Sequence, residues 1–303
     1  MTTPTLPVEL CYRVIQLSSD KVGLCSLALC CTSFRDEAQS ELFRGPFLAT
    51  TQQDCQFIAS ILSSPTRLGR MVRTYSVNNA DHPSVEDVAA ALRSMRNLKN
   101  LYVQAEQQTR VSTLFVTHYA FQLHIFTLNP IATGIVPATV FGFLYEQPAL
   151  QRLTIYDHAS EIRVNSFRDD PAWCPNLRYV TGGDVALKVG LGSKRPVRWL
   201  NWFNTIQSAP IITSSGLSTV VHFECTVYCD GEQDFSIFRH MTLLLHMDLK
   251  FLLEGNDNAH VQQLTFLTSV PPRLRYLSIW TVPPDYPNTE RQSFVDTSKT
   301  ARL

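Results

Sequence analysis

Charge is scarce in this sequence. Lys and Arg number 26, Asp and Glu number 26, and together they make up 17% of the 303 residues, against ~25% in an ordinary globular chain. The zero balance excludes the cation surplus that nucleic acid or an anionic membrane demands. No Asn-x-Ser/Thr acceptor occurs, and Glu9 and Arg13 interrupt the N-terminal stretch that a signal peptide would keep apolar. Long hydrophobic runs are missing as well. Val111 to Tyr145 holds no Asp, Glu, Lys or Arg, but His118, Gln122, His124, Asn129, Pro130 and Pro137 break it. No window of ~20 residues is therefore apolar enough to span a bilayer, and the stretch reads as buried strands with a Pro-broken connection.

Catalytic signatures are equally sparse. There is no Gly-x-Ser-x-Gly elbow and no His-Glu-x-x-His pair. Gly190-Leu191-Gly192-Ser193-Lys194 lacks the frame of a phosphate loop and reads as a turn. Asp169-Asp170 precede Pro171 in a polar segment, which is a solvated loop. His222-x-x-Cys225-x-x-x-Cys229 contains zinc-ligand residue types at no common zinc spacing, and reads as packed thiols. The expectation is a protein without enzymatic activity, metal or cofactor. Five of the eight cysteines fall in the first 55 residues, Cys30 and Cys31 being adjacent. That crowding suits thiols in a reducing compartment, the cytoplasm or nucleus, better than a disulfide framework.

What is present begins with three short helical patterns. Pro7 stands at a first turn with Glu9 beside it, followed by Val14, Ile15 and Leu17. Ser18-Ser19-Asp20 is a break and a cap. Leu24, Leu27, Ala28 and Cys31 then form one stripe, and Phe34, Ala38, Leu42 and Phe43 share the inward side of a third helix capped by Thr32 and Ser33. A bundle of roughly 40 residues is near the lower limit for independent folding.

Beyond residue 66 an irregular repeat takes over. Leu98-x-x-Leu101-x-Val103 matches Leu150-x-x-Leu153-x-Ile155 and Leu274-x-x-Leu277-x-Ile279, with weaker copies near 120, 177, 197 and 217 and a candidate near Leu243. Spacings of about 20 to 31 residues, the gap before 274 apart, are those of leucine-rich or similar solenoids. Pro148, Pro175 and Pro272 each introduce a copy as Pro-x-Leu. Ser84 to Met95 reads as a capped helix with Val88, Ala91, Leu92 and Met95 as its stripe. The Asn or Cys that ordinarily follows the strand of such repeats is absent: the slots hold Glu106, His158, Val185 and Val282, and only Cys225 fits. Regular architecture is not expected; a degenerate repeat is.

Leu6-Pro7-x-Glu9-Leu10, Ile15, Leu24, Leu27-Ala28, Cys30, Ser33-Phe34-Arg35, Ala38 and Leu42-Phe43-Arg44 resemble the F-box motif of fungal F-box proteins with divergent repeat domains. The resemblance implies a substrate receptor of a Skp–cullin–F-box ubiquitin ligase. Leu6, Pro7, Leu10, Ile15, Phe34, Leu42 and Phe43 would then contact the Skp-type adaptor or support that contact from behind, and the repeats would hold an unknown protein substrate. Three other readings stand: a helical cap for the solenoid, a leucine-rich-repeat-like scaffold with no ligase role, and a hydrolase-like enzyme whose sign would be a deep pocket holding a base next to a nucleophile.

The expected fold class is α/β, a small three-helix F-box bundle (1–45) and a helical linker (46–66) before an irregular leucine-rich-repeat-like solenoid (67–282) and a mobile tail (283–303). Strand alternation sends the residues between the leucine positions to the concave face. That rule selects Tyr102, Tyr156, Tyr179, Trp199, Phe223, Tyr276 and Trp280 as substrate-binding, with Arg152, Thr154, Asn201 and Ser278 between them. The competing reading is a second core in which a long connection covers these rings.

Overall fold

A computed structural model describes residues 7–18, 20–30, 32–46, 48, 50–78, 84–105, 108–130, 136–156, 173–192, 195–203, 214–228, 235–252, 271–282 and 301–302. The chain opens with α1 (Val8–Leu17), α2 (Lys21–Cys30) and α3 (Thr32–Arg44), the three helices that the sequence predicts. Pro7 is the N-cap of α1, and the Asp20 carboxylate caps α2 by accepting from the Gly23 N–H at 2.9 Å. Ile15, Leu24, Ala28 and Ala38 form a small core of their own, with Leu27, Phe34 and Leu42 packed against it.

A fourth helix, α4 (Thr51–Ser63), occupies the expected linker. It is more than a linker. Phe57, Ile58 and Ile61 are buried in the large core of the solenoid, so α4 covers the first strand and does the work of an N-terminal cap. Phe43 stacks on Phe57 at 5.6 Å and Phe57 on Tyr75 at 5.5 Å, which fastens the bundle to that strand.

The remainder is a sheet of ten strands whose spatial order is their sequence order. Strands β1 (Thr74–Asn78), β2 (Asn100–Ala105), β3 (Ile125–Pro130), β4 (Arg152–Ile155), β5 (Tyr179–Gly182), β6 (Trp199–Trp202), β7 (His222–Tyr228), β8 (His246–Leu252) and β9 (Tyr276–Val282) are all parallel. Between them lie α5 (Val85–Ser94), α6 (Gln108–Leu114), α7 (Ala138–Tyr145), α8 (Asp184–Leu191) and α9 (Ser214–Leu217), with a 3-10 turn at Phe235–His240. Each connection returns the chain to lay the next strand beside the last, which defines an α/β solenoid of leucine-rich-repeat-like units. Ser84 caps α5 as expected, accepting from the Asp87 N–H at 3.1 Å, with Val88, Ala91 and Leu92 buried.

Strand register shows the repeat in full. Every parallel strand carries an apolar residue two positions before it, then a second and a third at its inward-facing sites, with Gly182 as the one third-site exception. Thus Val72, Tyr75 and Val77 correspond to Leu98, Leu101 and Val103, to Leu123, Phe126 and Leu128, and so on to Leu274, Leu277 and Ile279. The first residues of successive units are separated by 20 (Leu177 to Val197) to 30 positions (Leu244 to Leu274). Three sequence assignments shift accordingly. The copies near 120, 217 and 243 begin at Leu123, Val220 and Leu244, and Leu243 is exposed. A copy at Val72 also precedes the first that the sequence revealed. Cys225 is the third core residue of its unit, not the turn residue that follows a strand.

The Pro-x-Leu signal has a geometric cause. In these units the N–H of the first leucine donates to the carbonyl three residues back, Leu150 to Gln147, Leu177 to Cys174 and Leu274 to Pro271, each at 3.1 Å. Pro148, Pro175 and Pro272 therefore sit at the second position of a β-turn, where a fixed φ is favourable. Amides bridge these turns: Asn97 Nδ2 donates to the Arg70 carbonyl at 2.7 Å and Asn176 Nδ2 to the Pro148 carbonyl at 3.0 Å. In these two places an asparagine links neighbouring units on entry to the strand.

Gly190 is the penultimate residue of α8, not part of a turn, and a Cβ there would lie 2.5 Å from Val180 Cγ2. Gly182 has φ +147, and a Cβ would meet the Ile155 carbonyl oxygen at 2.0 Å, so no side chain fits between these strands. At the far end Ala301–Arg302 form β10 and pair antiparallel with Leu277 and Tyr276. Those two residues are the described part of the segment expected as a mobile tail; the rest of 283–303 lies outside the described residues.

Candidate functional site

The open face of the sheet, opposite the helices, carries the side chains that the core leaves out. Its first row follows the register Arg152, Tyr179, Trp199, His222, His246, Tyr276. These groups form a continuous stack. The Arg152 guanidinium carbon lies 4.9 Å over the Tyr179 ring. Tyr179 and Trp199 are 6.2 Å apart, Trp199 and His222 3.7 Å, His222 and His246 5.7 Å, and His246 and Tyr276 4.6 Å, all between ring centroids. Parallel strands stand ~4.8 Å apart, close to the separation at which aromatic rings attract. The register therefore stacks identical positions of six units into one ladder.

A second row lies beside it. Asn201 Nδ2 donates to Glu224 at 2.9 Å, Glu224 pairs with Lys250, and His222 Nε2 lies 3.3 Å from Asp248 Oδ2. Beyond the end of β4, Tyr156 stacks on Phe203 at 5.4 Å with the rings 8° from parallel. Tyr102 is exposed at the β2 end of the face, and Trp280 is half-buried beside Lys250.

Four of the seven predicted binding residues need no comment beyond this placement: Tyr179, Trp199 and Tyr276 stand in the ladder, and Tyr102 on the same face. Tyr156 pairs instead with Phe203, and Trp280 lies further along the face, in register with Lys250. Phe223 is wrong. It is fully buried and packs edge-on against Phe238 at 5.5 Å, because the unit begins at Val220 and not at Leu217. Thr154, selected by the same rule, is also buried. Sequence reasoning missed His222, His246, Glu224, Asp248 and Lys250, which the corrected register would have found.

The described residues of the charge-free stretch do not fold over this face as a second core. It builds α7, β3 and part of α6, and Phe115, Phe126 and Phe143 bury one another inside the stack. His222 and Cys225 do not converge on a metal either, since they point to opposite faces of β7. Burial pushes the Cys225 thiol well above its ordinary range, the neighbouring Glu224 adding to the effect, and raises Cys174 to about 12. Cys229, Asp169, Asp170, Ser193 and Lys194 lie outside the described residues.

The bundle offers a second surface. Leu10 is 51% exposed, Leu17 71%, Val22 72% and Leu29 83%. Of the predicted adaptor residues, Pro7 and Leu10 are exposed, Ile15 is fully buried, and Phe34 and Leu42 pack on the small core. Phe43 is half-buried against the large core beside Phe57, where it fastens the bundle to the solenoid. Leu6 lies outside the described residues.

No family model matches the sequence, and no curated protein matches it. Among solved structures the chain is similar to one described as a TLR13–ssRNA13 complex, at 14% identity and a TM-score of 0.45, over 74% of this chain and 34% of that one. It thus spans about a third of that protein's length. It is also similar to an internalin, inlF, from Listeria monocytogenes str. 4b F2365, at 14% identity and a TM-score of 0.34, over 93% and 94% of the two chains. The architecture stands on the chain's own strand order. Among the described residues no helix is long and apolar enough to cross a membrane.

Proposed function

We propose that this chain is a protein-interaction module whose open strand face, from β4 to β9, captures another protein. The ladder from Arg152 to Tyr276 carries this reading. It sets one guanidinium, two tyrosines, a tryptophan and two imidazoles in a row. Aromatic and arginine anchors of this kind contribute most of the energy at protein interfaces. Its chemistry suits recognition, because the polar tips donate hydrogen bonds while the ring bodies supply apolar area. The test is quantitative affinity purification from native extract with Trp199→Ala/Tyr276→Ala beside the wild-type chain. Loss of a partner at unchanged thermal stability supports the reading; retention of every partner overturns it.

A finer reading is favoured by the bundle. With α4 covering the solenoid, α1–α3 are not needed as its cap, yet they keep a separate core and expose Leu10, Leu17, Val22 and Leu29. A small bundle with an uncovered apolar face gains stability by docking on a partner. Joined to the F-box resemblance, this supports a substrate receptor of a Skp–cullin–F-box ligase, non-catalytic itself and acting in the cytoplasm or nucleus. Binding of purified Skp-type adaptor to the full chain tests it. Leu10→Asp/Leu17→Asp should abolish that binding. A wild-type chain that fails to bind the adaptor ends the ligase reading and leaves the interaction module standing.

A further inference from the structure

The position just before each parallel strand forms a separate row along the rim, which the reading above does not use. Arg73, Lys99, His124, Arg178, Arg198 and Arg275 occupy it in six of the nine units, and no carboxylate stands in it anywhere. In a chain with no net charge, five permanent cations on one rim are a concentrated field. Backbone bonds fix their alignment: Lys99 and Asn100 both donate to the Arg73 carbonyl, and His124 and Ile125 both donate to that of Lys99.

At the bundle end this rim deepens into two clefts of about 610 and 840 Å³ that share Glu41, Arg44 and Arg73. Arg70 lines one and Lys99 the other. Glu41 neutralises Arg44 at 3.2 Å. The Arg73 guanidinium donates to the Asn97 carbonyl at 3.3 Å and the Lys99 ammonium to that of Gln122 at 3.5 Å. Those partners satisfy donors without cancelling charge. Thr74 and Asn100, which begin the first two strands of the open face, also line the larger cleft, so the cleft and the face are continuous.

We infer that the rim and its clefts bind an acidic, extended segment of a protein partner, one whose carboxylates lie along Arg73 to Arg198. Those residues span five strand spacings, roughly 24 Å, or about seven extended residues. Guanidinium forks match carboxylate geometry, and an open cleft of this size suits a chain more than a single anion. The inference deepens the strand-face reading and rests on it for the nature of the partner.

Fluorescence anisotropy of labelled octaglutamate against the full chain tests it without any natural partner, so failure of the strand-face reading would leave the measurement intact. Saturable binding should weaken as salt shortens the Debye length. Arg73→Gln/Lys99→Gln should cost about tenfold in affinity, and Arg239→Gln, an exposed cation outside the row, should cost nothing. Arg178→Gln/Arg198→Gln, on exposed positions, gives the same direction should the first pair fail to fold. Absence of wild-type binding, wild-type affinity in both double variants, or tighter binding of an oligothymidylate of equal charge would each overturn the proposal.

Discussion

His222 and Phe223 are neighbours in the chain and opposites in the fold: the imidazole stacks 3.7 Å from the Trp199 ring on the open face, while the phenyl ring is fully buried against Phe238. Their contrast tests the register of β7 directly. Phe223→Ala should destabilise by about 3–5 kcal/mol, the usual cost of emptying a buried phenylalanine site. His222→Ala should cost less, about 0.5–1.5 kcal/mol, the value of a half-buried ring contact. Urea denaturation of the two variants measures both, and the reverse order would put β7 one residue out of register.

The bundle makes a similar contrast available. Ile15→Ala removes a side chain with no exposed surface and should cost about 2–4 kcal/mol. Leu10→Asp, at a half-exposed site on the same helix, should leave the unfolding midpoint within about 0.5 kcal/mol of wild type. Circular dichroism melts of the full chain decide it.

Gly190→Ala should destabilise although alanine is the better helix former. The added methyl would press on Val180 at 2.5 Å, and forcing a methyl into a filled site costs about 1–3 kcal/mol. A variant as stable as wild type would show that α8 can draw back from β5.

Asp54 is buried and accepts a hydrogen bond from the Tyr75 hydroxyl at 2.8 Å. Burial raises its carboxyl above the ordinary carboxylate range, the tyrosine bond offsetting part of the shift. The folded state then holds the proton more tightly than the unfolded one, so this contribution to stability is present below pH ~4 and is lost as pH rises through the folded value. Asp54→Asn keeps an acceptor for Tyr75 and carries no charge. Its stability should improve relative to wild type as pH rises from 4 to 7, which urea midpoints across that range would show.

Cysteine reactivity should divide by location. Cys25 and Cys30 are exposed, whereas Cys174 and Cys225 are buried with thiols pushed up by desolvation. Iodoacetamide at neutral pH should label the first pair in the native chain and the second only after denaturation. Mass spectrometry of the digests reads the outcome.

The solenoid was legible where three good apolar residues repeat, as in Leu98-x-x-Leu101-x-Val103. It was hidden where Tyr75, Gly182, Trp202 or Cys225 takes a core site, since none of these reads as a leucine position. Near 217 the error was physical in origin: Leu217 and Val220 are both buried and three apart, so a one-dimensional pattern fits either start. Four of the ladder's six members, Arg152, Tyr179, Trp199 and Tyr276, follow from the sequence rule; His222 and His246 did not, because the starts of their units were misplaced. Apolar periodicity found α1, yet it could not tell buried Ile15 from exposed Leu10.

The contacts from Phe43 through Phe57 to Tyr75 make the chain a bracket. Whatever seats on α1 and whatever seats on the ladder are held at a separation counted in strands, for the ladder opens at β4, three spacings or roughly 15 Å from β1. Reach is thus a matter of repeat number. Inserting one whole unit between β3 and β4 would lengthen the arm by a single spacing and leave both gripping surfaces as they are.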